Sequence, residues 1–174
     1  FTYGDVFFIV LDTGNDQSDN PKDIFFSSKE LLAEQLEFLK KVEKSDAYRN
    51  AKYRIIFQHI PPLSAKMGFY KQFHDLLKPL TDSVTPPDAI LCGHMHAYIR
   101  LDANSKSYHE KSRSAHCKRS PITTPLPCLM LVNTNSSVTE CKVSPDKLEF
   151  TVFTPDKDGK ILEVIDTVTV KASK

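Results

Sequence analysis

Three histidines, His59, His94 and His96, stand where apolar runs give way to turns, and imidazoles so placed can grip a transition-metal ion. His94 and His96 are separated by one residue just past such a run. In extended backbone their side chains leave the same face, roughly 6–7 Å apart at Cα. That spacing suits two neighbouring ions, and two metals ~3.5–4 Å apart can share a hydroxide and clamp a phosphate ester for in-line attack. Gly93 keeps the backbone slim where such a site is crowded. His59, held by Pro61 and Pro62 at the end of another run, would add a third imidazole.

Other residues invite chemical readings of lesser weight. Tyr98 and Arg100 either line an anion pocket beyond the histidines or pack beneath the site as strand residues. His74, within a helical stretch, reads as a satisfied structural histidine. Asp12, Asp16, Asp19 and Asp23 lack the alternating acid spacing, the glycine and the final glutamate of a calcium loop. Lys106 to Arg119 is basic, but Glu110 interrupts the charge and no paired ligand spacing accompanies His109, His116 and Cys117, so it reads as a surface loop. Of four cysteines, Cys92 reads as a core residue, and Cys117 paired with Cys128 or Cys141 remains open in an oxidising compartment.

The elements that must position these groups alternate. Val6–Leu11 is an apolar run that predicts a fully buried strand. A polar loop from Asp12 to Phe26 follows, and Ser27 or Ser28 is placed to cap a helix whose stripe is Leu31, Leu32, Gln35, Leu36, Leu39 and Val42. Tyr53–Gln58 predicts a second strand, stopped by the proline pair, because proline cannot donate to a central ladder. A short helix over Phe69–Leu80 and a third strand over Asp88–Cys92 complete a strand-helix alternation. The pattern argues for an α/β fold with a parallel sheet and ligands at its carboxyl edge. Cys128–Val132, Ser137–Cys141, Leu148–Phe153 and Ile161–Val170 predict a C-terminal antiparallel meander, its last turn at Asp156–Gly159.

Phe57-Gln-His59-Ile-Pro-Pro62 and Gly93-His-Met-His96-Ala-Tyr98-Ile-Arg100 resemble the last two motifs of the calcineurin-like metallophosphoesterases, and the second is similar to a run in the purple acid phosphatases. The likeness covers Tyr3 to Arg100 and extends loosely to the C-terminal strands. It implies a four-layer α-β-β-α sandwich with a mixed sheet, of which residues 1–174 form one partial domain lacking its N-terminal half. It implies hydrolysis of phosphate mono- or diesters through two divalent or trivalent metal ions, Mn, Fe or Zn, with His59 and His94 on one ion and His96 on the other. The family's earlier motifs, Asp-x-His, Gly-Asp-x-x-Asp and Gly-Asn-His-Asp or Glu, are not in this sequence. Three neutral imidazoles cannot offset two divalent charges, so this chain alone is expected to be inactive, holding one metal weakly or none. The other reading is a non-catalytic module that kept the fold for partner binding.

Hydrophobic residues make up 40% of the 174, enough for a real core, and 23 basic residues against 22 acidic give a net charge of +1. So even a balance offers no field for steering nucleic acid or an anionic membrane, and no apolar run approaches the ~20 residues of a spanning helix. The expected partners are a phosphate ester substrate and, to cover the apolar sheet face left bare, either the N-terminal half of the same domain or a second copy. Compartment is not legible in this sequence.

Overall fold

The computed structural model describes residues 1–13, 28–63, 68–111, 117–121 and 124–172. Its elements in chain order are β1 (Thr2–Tyr3), β2 (Val6–Leu11), α1 (Ser28–Lys44), α2 (Asp46–Arg49), β3 (Tyr53–Gln58), α3 (Gly68–Thr81), β4 (Ala89–Cys92), β5 (Tyr98–Leu101), β6 (Ser107–Lys111), β7 (Cys117–Pro121), β8 (Leu129–Val132), β9 (Val138–Val143), β10 (Lys147–Pro155) and β11 (Ile161–Lys171). Among the described residues no helix is long and apolar enough to cross a membrane.

Eight strands make one mixed sheet in the order β1-β2-β3-β4-β8-β5-β6-β7, and β11-β10-β9 make a second, antiparallel sheet. Strands β2, β3, β4 and β8 run parallel, so their carboxyl ends share one edge. Helical crossovers between parallel neighbours carry α1 and α3 to the same face, where Leu39, Val42, Leu76, Leu77 and Leu80 bury Phe7, Ile9, Ile56 and Ile90. On the opposite face Leu148, Phe150 and Val152 of β10 and Val168 of β11 pack against Val6, Ile55, Ala89 and Leu131. The described chain thus forms three layers: helices, mixed sheet, small sheet.

Three expectations change. Cys128–Val132 does not begin the meander: β8 lies inside the main sheet, parallel to β4 and antiparallel to β5. All four of its residues are buried, as befits a strand covered on both faces. The basic stretch from Lys106 is not a simple loop, because Ser107–Lys111 pairs antiparallel with β5 and with Cys117–Pro121. Every residue of β6 is half-buried, so the alternation that betrays a strand is missing. Finally, Val6–Leu11 is not fully buried: Phe8 is only partly covered and Val10 is 65% exposed.

A buried ion pair ties helix side to sheet. The backbone N–H of Arg54 donates to Asp88 Oδ2 at 2.8 Å, while its guanidinium donates to the carbonyls of Tyr48 and Arg49 at 2.9 and 2.8 Å. The guanidinium also lies 5.2 Å from the centre of the Tyr48 ring and 4.0 Å from Asp88 Oδ2. Tyr48 Oη in turn donates to the Thr85 carbonyl at 2.9 Å. Arg54→Met would leave the Asp88 carboxylate buried without its cation and two carbonyls unpaired, at a cost of about 3 kcal/mol or more. Urea unfolding measures it, and Arg54→Met with Asp88→Asn together should cost less than the sum of the two.

Candidate functional site

The carboxyl ends of the parallel strands are stitched by a ladder of loop hydrogen bonds. Asp12 is held through both backbone groups by the Gln35 amide of α1, its N–H donating to Oε1 at 2.8 Å and its carbonyl accepting from Nε2 at 2.6 Å. Ile60 N donates to Thr13 Oγ1 at 3.2 Å, joining the loops after β2 and β3. Gly93 N donates to the His59 carbonyl at 3.0 Å, joining those after β3 and β4, and Asn133 N donates to the Cys92 carbonyl at 2.9 Å. Four loops are fixed in register by backbone groups that have run out of strand partners.

Upon this ladder His59 and His94 meet edge to face, their ring centres 5.4 Å apart. His59 is exposed and His94 half-buried. Gly93 supplies room for this approach: a Cβ there would stand 3.3 Å from His59 Nδ1. The backbone of Gly93-His-Met-His96 is not extended. His94 has φ +69° and His96 φ +54°, and Met95 N donates to the Gly93 carbonyl at 2.8 Å, closing a three-residue γ-type turn about His94. Left-handed backbone at two non-glycine residues carries strain that tight packing must hold, and such strain gathers at functional sites. Same-face projection from an extended run therefore does not describe His94 and His96. The exposed His96 belongs to the same loop, one residue beyond Met95.

Among the described residues no three or more His, Cys, Asp or Glu converge closely enough to hold a metal ion. Two imidazoles supply half of a tetrahedral ligand set and no negative charge, so the described residues do not by themselves fit a dinuclear centre. Beside His59 lies a groove of about 370 Å³, lined by Val10, Phe57, Leu91, Asn133 and Thr139 among others. Sequence reasoning missed Asn133 and Thr139, which are linked by a 2.7 Å hydrogen bond from Thr139 Oγ1 to Asn133 Oδ1. The usable signal was the unbroken apolar run Leu129–Val132, which marks a parallel strand and so places Asn133 at the ligand-binding edge.

Tyr98 and Arg100 turn away to a different task. Tyr98 Oη donates to Asp166 Oδ2 at 2.7 Å, and Arg100 reaches Asp102 at 2.7 Å and Asp166 at 3.2 Å. These bonds clamp β5 of the main sheet to β11 of the small one. A register shift between Val152 and Phe153 leaves Ile165 as an extra residue in β11, and Ile165 and Asp166 both line the cleft that faces Tyr98. Burial and the Asp166 carboxylate push the Tyr98 phenol well above its ordinary range. Cys92, Cys128 and Cys141 are free thiols. Burial pushes Cys141 up to about 11, so it is a packing residue rather than a nucleophile. Of the four aspartates after β2, Asp16, Asp19 and Asp23 lie outside the described residues.

No protein-family model matches the chain, and no curated protein matches it. Solved structures do. GAP50, the anchor in the inner membrane complex of Plasmodium, aligns with a TM-score of 0.57 at 19% identity, over 97% of this chain and 50% of that one. PhoD aligns with a TM-score of 0.52 at 14% identity, over 98% of this chain and 44% of that one. The chain spans about half the length of the solved chains it matches. At these identities the likeness is one of fold alone.

Gly93→Ala should push the His59 ring aside by a few tenths of an ångström, shifting its imidazole NMR signals while unfolding stability changes by less than about 1 kcal/mol. His74 yields a pH dependence. It is buried on α3, a helix histidine as expected, but among the described residues its Nδ1 has no hydrogen-bond partner and lies 4.0 Å from Asp75. Desolvation, opposed by the Asp75 carboxylate, holds its pKa below the ordinary 6.5. A histidine whose folded pKa is depressed disfavours the protonated folded state, so stability is full above about pH 6.5 and falls as pH drops toward the folded value. Urea midpoints between pH 7.5 and 5 should decline in the wild type and flatten in His74→Leu.

Proposed function

We propose that the carboxyl edge bearing His59, His94 and His96 is this chain's share of a metal-dependent phosphoesterase site. The observation that carries the reading is the meeting of His59 and His94 at 5.4 Å, at the ends of two neighbouring parallel strands, with His94 held in left-handed backbone. An exposed and a half-buried imidazole gain little from facing each other at the edge of the sheet, whereas a shared cation would use one nitrogen from each. His59 and His94 would hold one ion and His96 would lie toward a second. When bound, the ions supply a Lewis acid for the phosphoryl oxygens and a hydroxide at neutral pH. Because the acidic ligands are lacking among the described residues, no hydrolytic step is assigned to this chain alone. The four-layer α-β-β-α sandwich belongs to this reading, with the small sheet as the beginning of the second central layer.

A second reading is a non-catalytic module that keeps the architecture for holding partners. Its support is the fold likeness to GAP50, which is an anchor, together with the incomplete ligand set.

Zinc or manganese titrated into the chain and followed by imidazole NMR separates the two. On the phosphoesterase reading the signals of His59 and His94 move together, and His59→Ala or His94→Ala weakens the response about tenfold or more. Hydrolysis of p-nitrophenyl phosphate stays at background throughout. Absence of any imidazole response favours the module.

A further inference from the structure

At the margin of the main sheet β6 and β7 carry the basic stretch that follows Lys106. Along the chain Glu110 interrupts its charge, but alternate residues of a strand leave by opposite faces. Glu110 pairs with Ile99, and Tyr108, two residues before it, packs against the core on the helix side to which Ile99 belongs. His109 and Lys111 leave by the other face, opposite Arg100 and Tyr98 of β5. In the next ladder Arg119 stands opposite His109, so one row across three strands reads Arg100, His109, Arg119. Pairing thus carries Glu110 and the basic residues beside it to opposite sides of the sheet.

The basic face ends at a cleft of about 390 Å³ between β5 and β6 and the bulged part of β11, lined by Tyr98, Arg100, His109, Lys111, Ile165 and Asp166. That size lies within the range of small-molecule sites, about 300–1,000 Å³. Two of the nearby carboxylates are already engaged. Asp166 accepts from Tyr98 Oη at 2.7 Å, from Arg100 Nη1 at 3.2 Å and from the Thr167 backbone N–H at 2.8 Å, and Asp102 accepts from Arg100 Nε at 2.7 Å. These bonds fix the guanidinium and leave its Nη2 without a hydrogen bond among the described residues. The third carboxylate, Glu163, has its side chain 66% exposed and stands 3.8 Å from Lys111 Nζ, beyond hydrogen-bond length. A pair so open to water contributes little and gives way readily.

We infer that this cleft binds a phosphate group, with Lys111, His109 and Arg100 Nη2 donating to its oxygens and Tyr98 and Ile165 forming an apolar wall beside it. The donors decide the shape of the ligand. Arg100 spends Nε and Nη1 on aspartates, so it offers Nη2 as a single donor and not the fork that a planar carboxylate would occupy. Single donors reaching in from two neighbouring strands suit a tetrahedral oxyanion. A phosphate carries a charge of about −1.5 to −2 at pH 7 against the single charge of Glu163, so Lys111 gains by the exchange. The inference does not rest on the histidines of the carboxyl edge.

Inorganic phosphate and glycerol 3-phosphate, titrated at fixed pH and ionic strength, are the probes, read through the imidazole NMR signals of His109, His59 and His94. The expected result is a saturable shift at His109 with His59 and His94 unmoved, while acetate leaves His109 in place. Lys111→Met should weaken phosphate binding about tenfold or more, and Glu163→Gln, which removes the competing carboxylate, should tighten it about threefold, both with unfolding midpoints close to the wild type. Tighter binding of the monoester identifies an organic phosphate as the occupant, and equal binding identifies the free ion. Shifts confined to His59 and His94, an equal response to acetate, no saturation at tens of millimolar phosphate, or an affinity that neither variant moves would overturn the proposal.

Discussion

A parallel sheet has no wet face: its strands are apolar on both sides, and each side must be covered before the fold is stable. The helix side meets that demand with α1 and α3. On the other side three antiparallel strands reach across part of the sheet and stop at Phe8 and Leu91. Nearly everything distinctive about the molecule follows from this uneven cover. Where the cover is complete, side chains such as Ile55 and Leu131 are buried, and where it ends, the carboxyl edge with its histidines stands open.

At that edge the geometry comes from backbone before side chains. Loops that leave parallel strands lose their ladder partners together, and here they find one another, Thr13 with Ile60 and His59 with Gly93. The imidazoles of His59 and His94 meet because the loops beneath them are bonded, while the left-handed turn about His94 sets the direction in which its ring leaves the chain. Tyr98 and Arg100 follow two and four residues after His96, and their bonds to Asp166 fix the far end of the same loop against the small sheet. The loop is held between a strained turn and a clamp.

Much of this was legible in the residues. Val6–Leu11, Tyr53–Gln58 and the helical stripe through Leu39 and Val42 have the lengths and periodicities that burial demands, and their bounds fall within a residue or two of the elements formed. Strand β6 was opaque because both of its faces are half-buried and its residues are polar, so no alternation distinguishes it from a loop. Strand β8 was visible as a strand but not in its place, since chain order suggested a neighbour in the meander while its unbroken run of buried residues pointed to the main sheet. The spacing of His94 and His96 carried no sign of positive φ, because sequence shows which residues tolerate that conformation and not which are forced into it. Tyr98 and Arg100 could be placed only once Asp166, far along the chain, was seen opposite them.

The extra residue at Ile165 has a consequence for how this chain can drift. The bulge adds one residue to β11 without changing the phase of the ladder: Asp166 lies opposite Val152 on one side of it, and Val164 and Glu163 lie opposite Phe153 and Thr154 on the other. Loss of that residue would leave these pairings in place and straighten the strand, and with the bend would go the approach of Glu163 to Lys111, from which it now stands 3.8 Å away. The middle of β11 is thus a place in that strand where a residue could be lost with the pairing kept, at the expense of the bend beside the Tyr98–Asp166 bond.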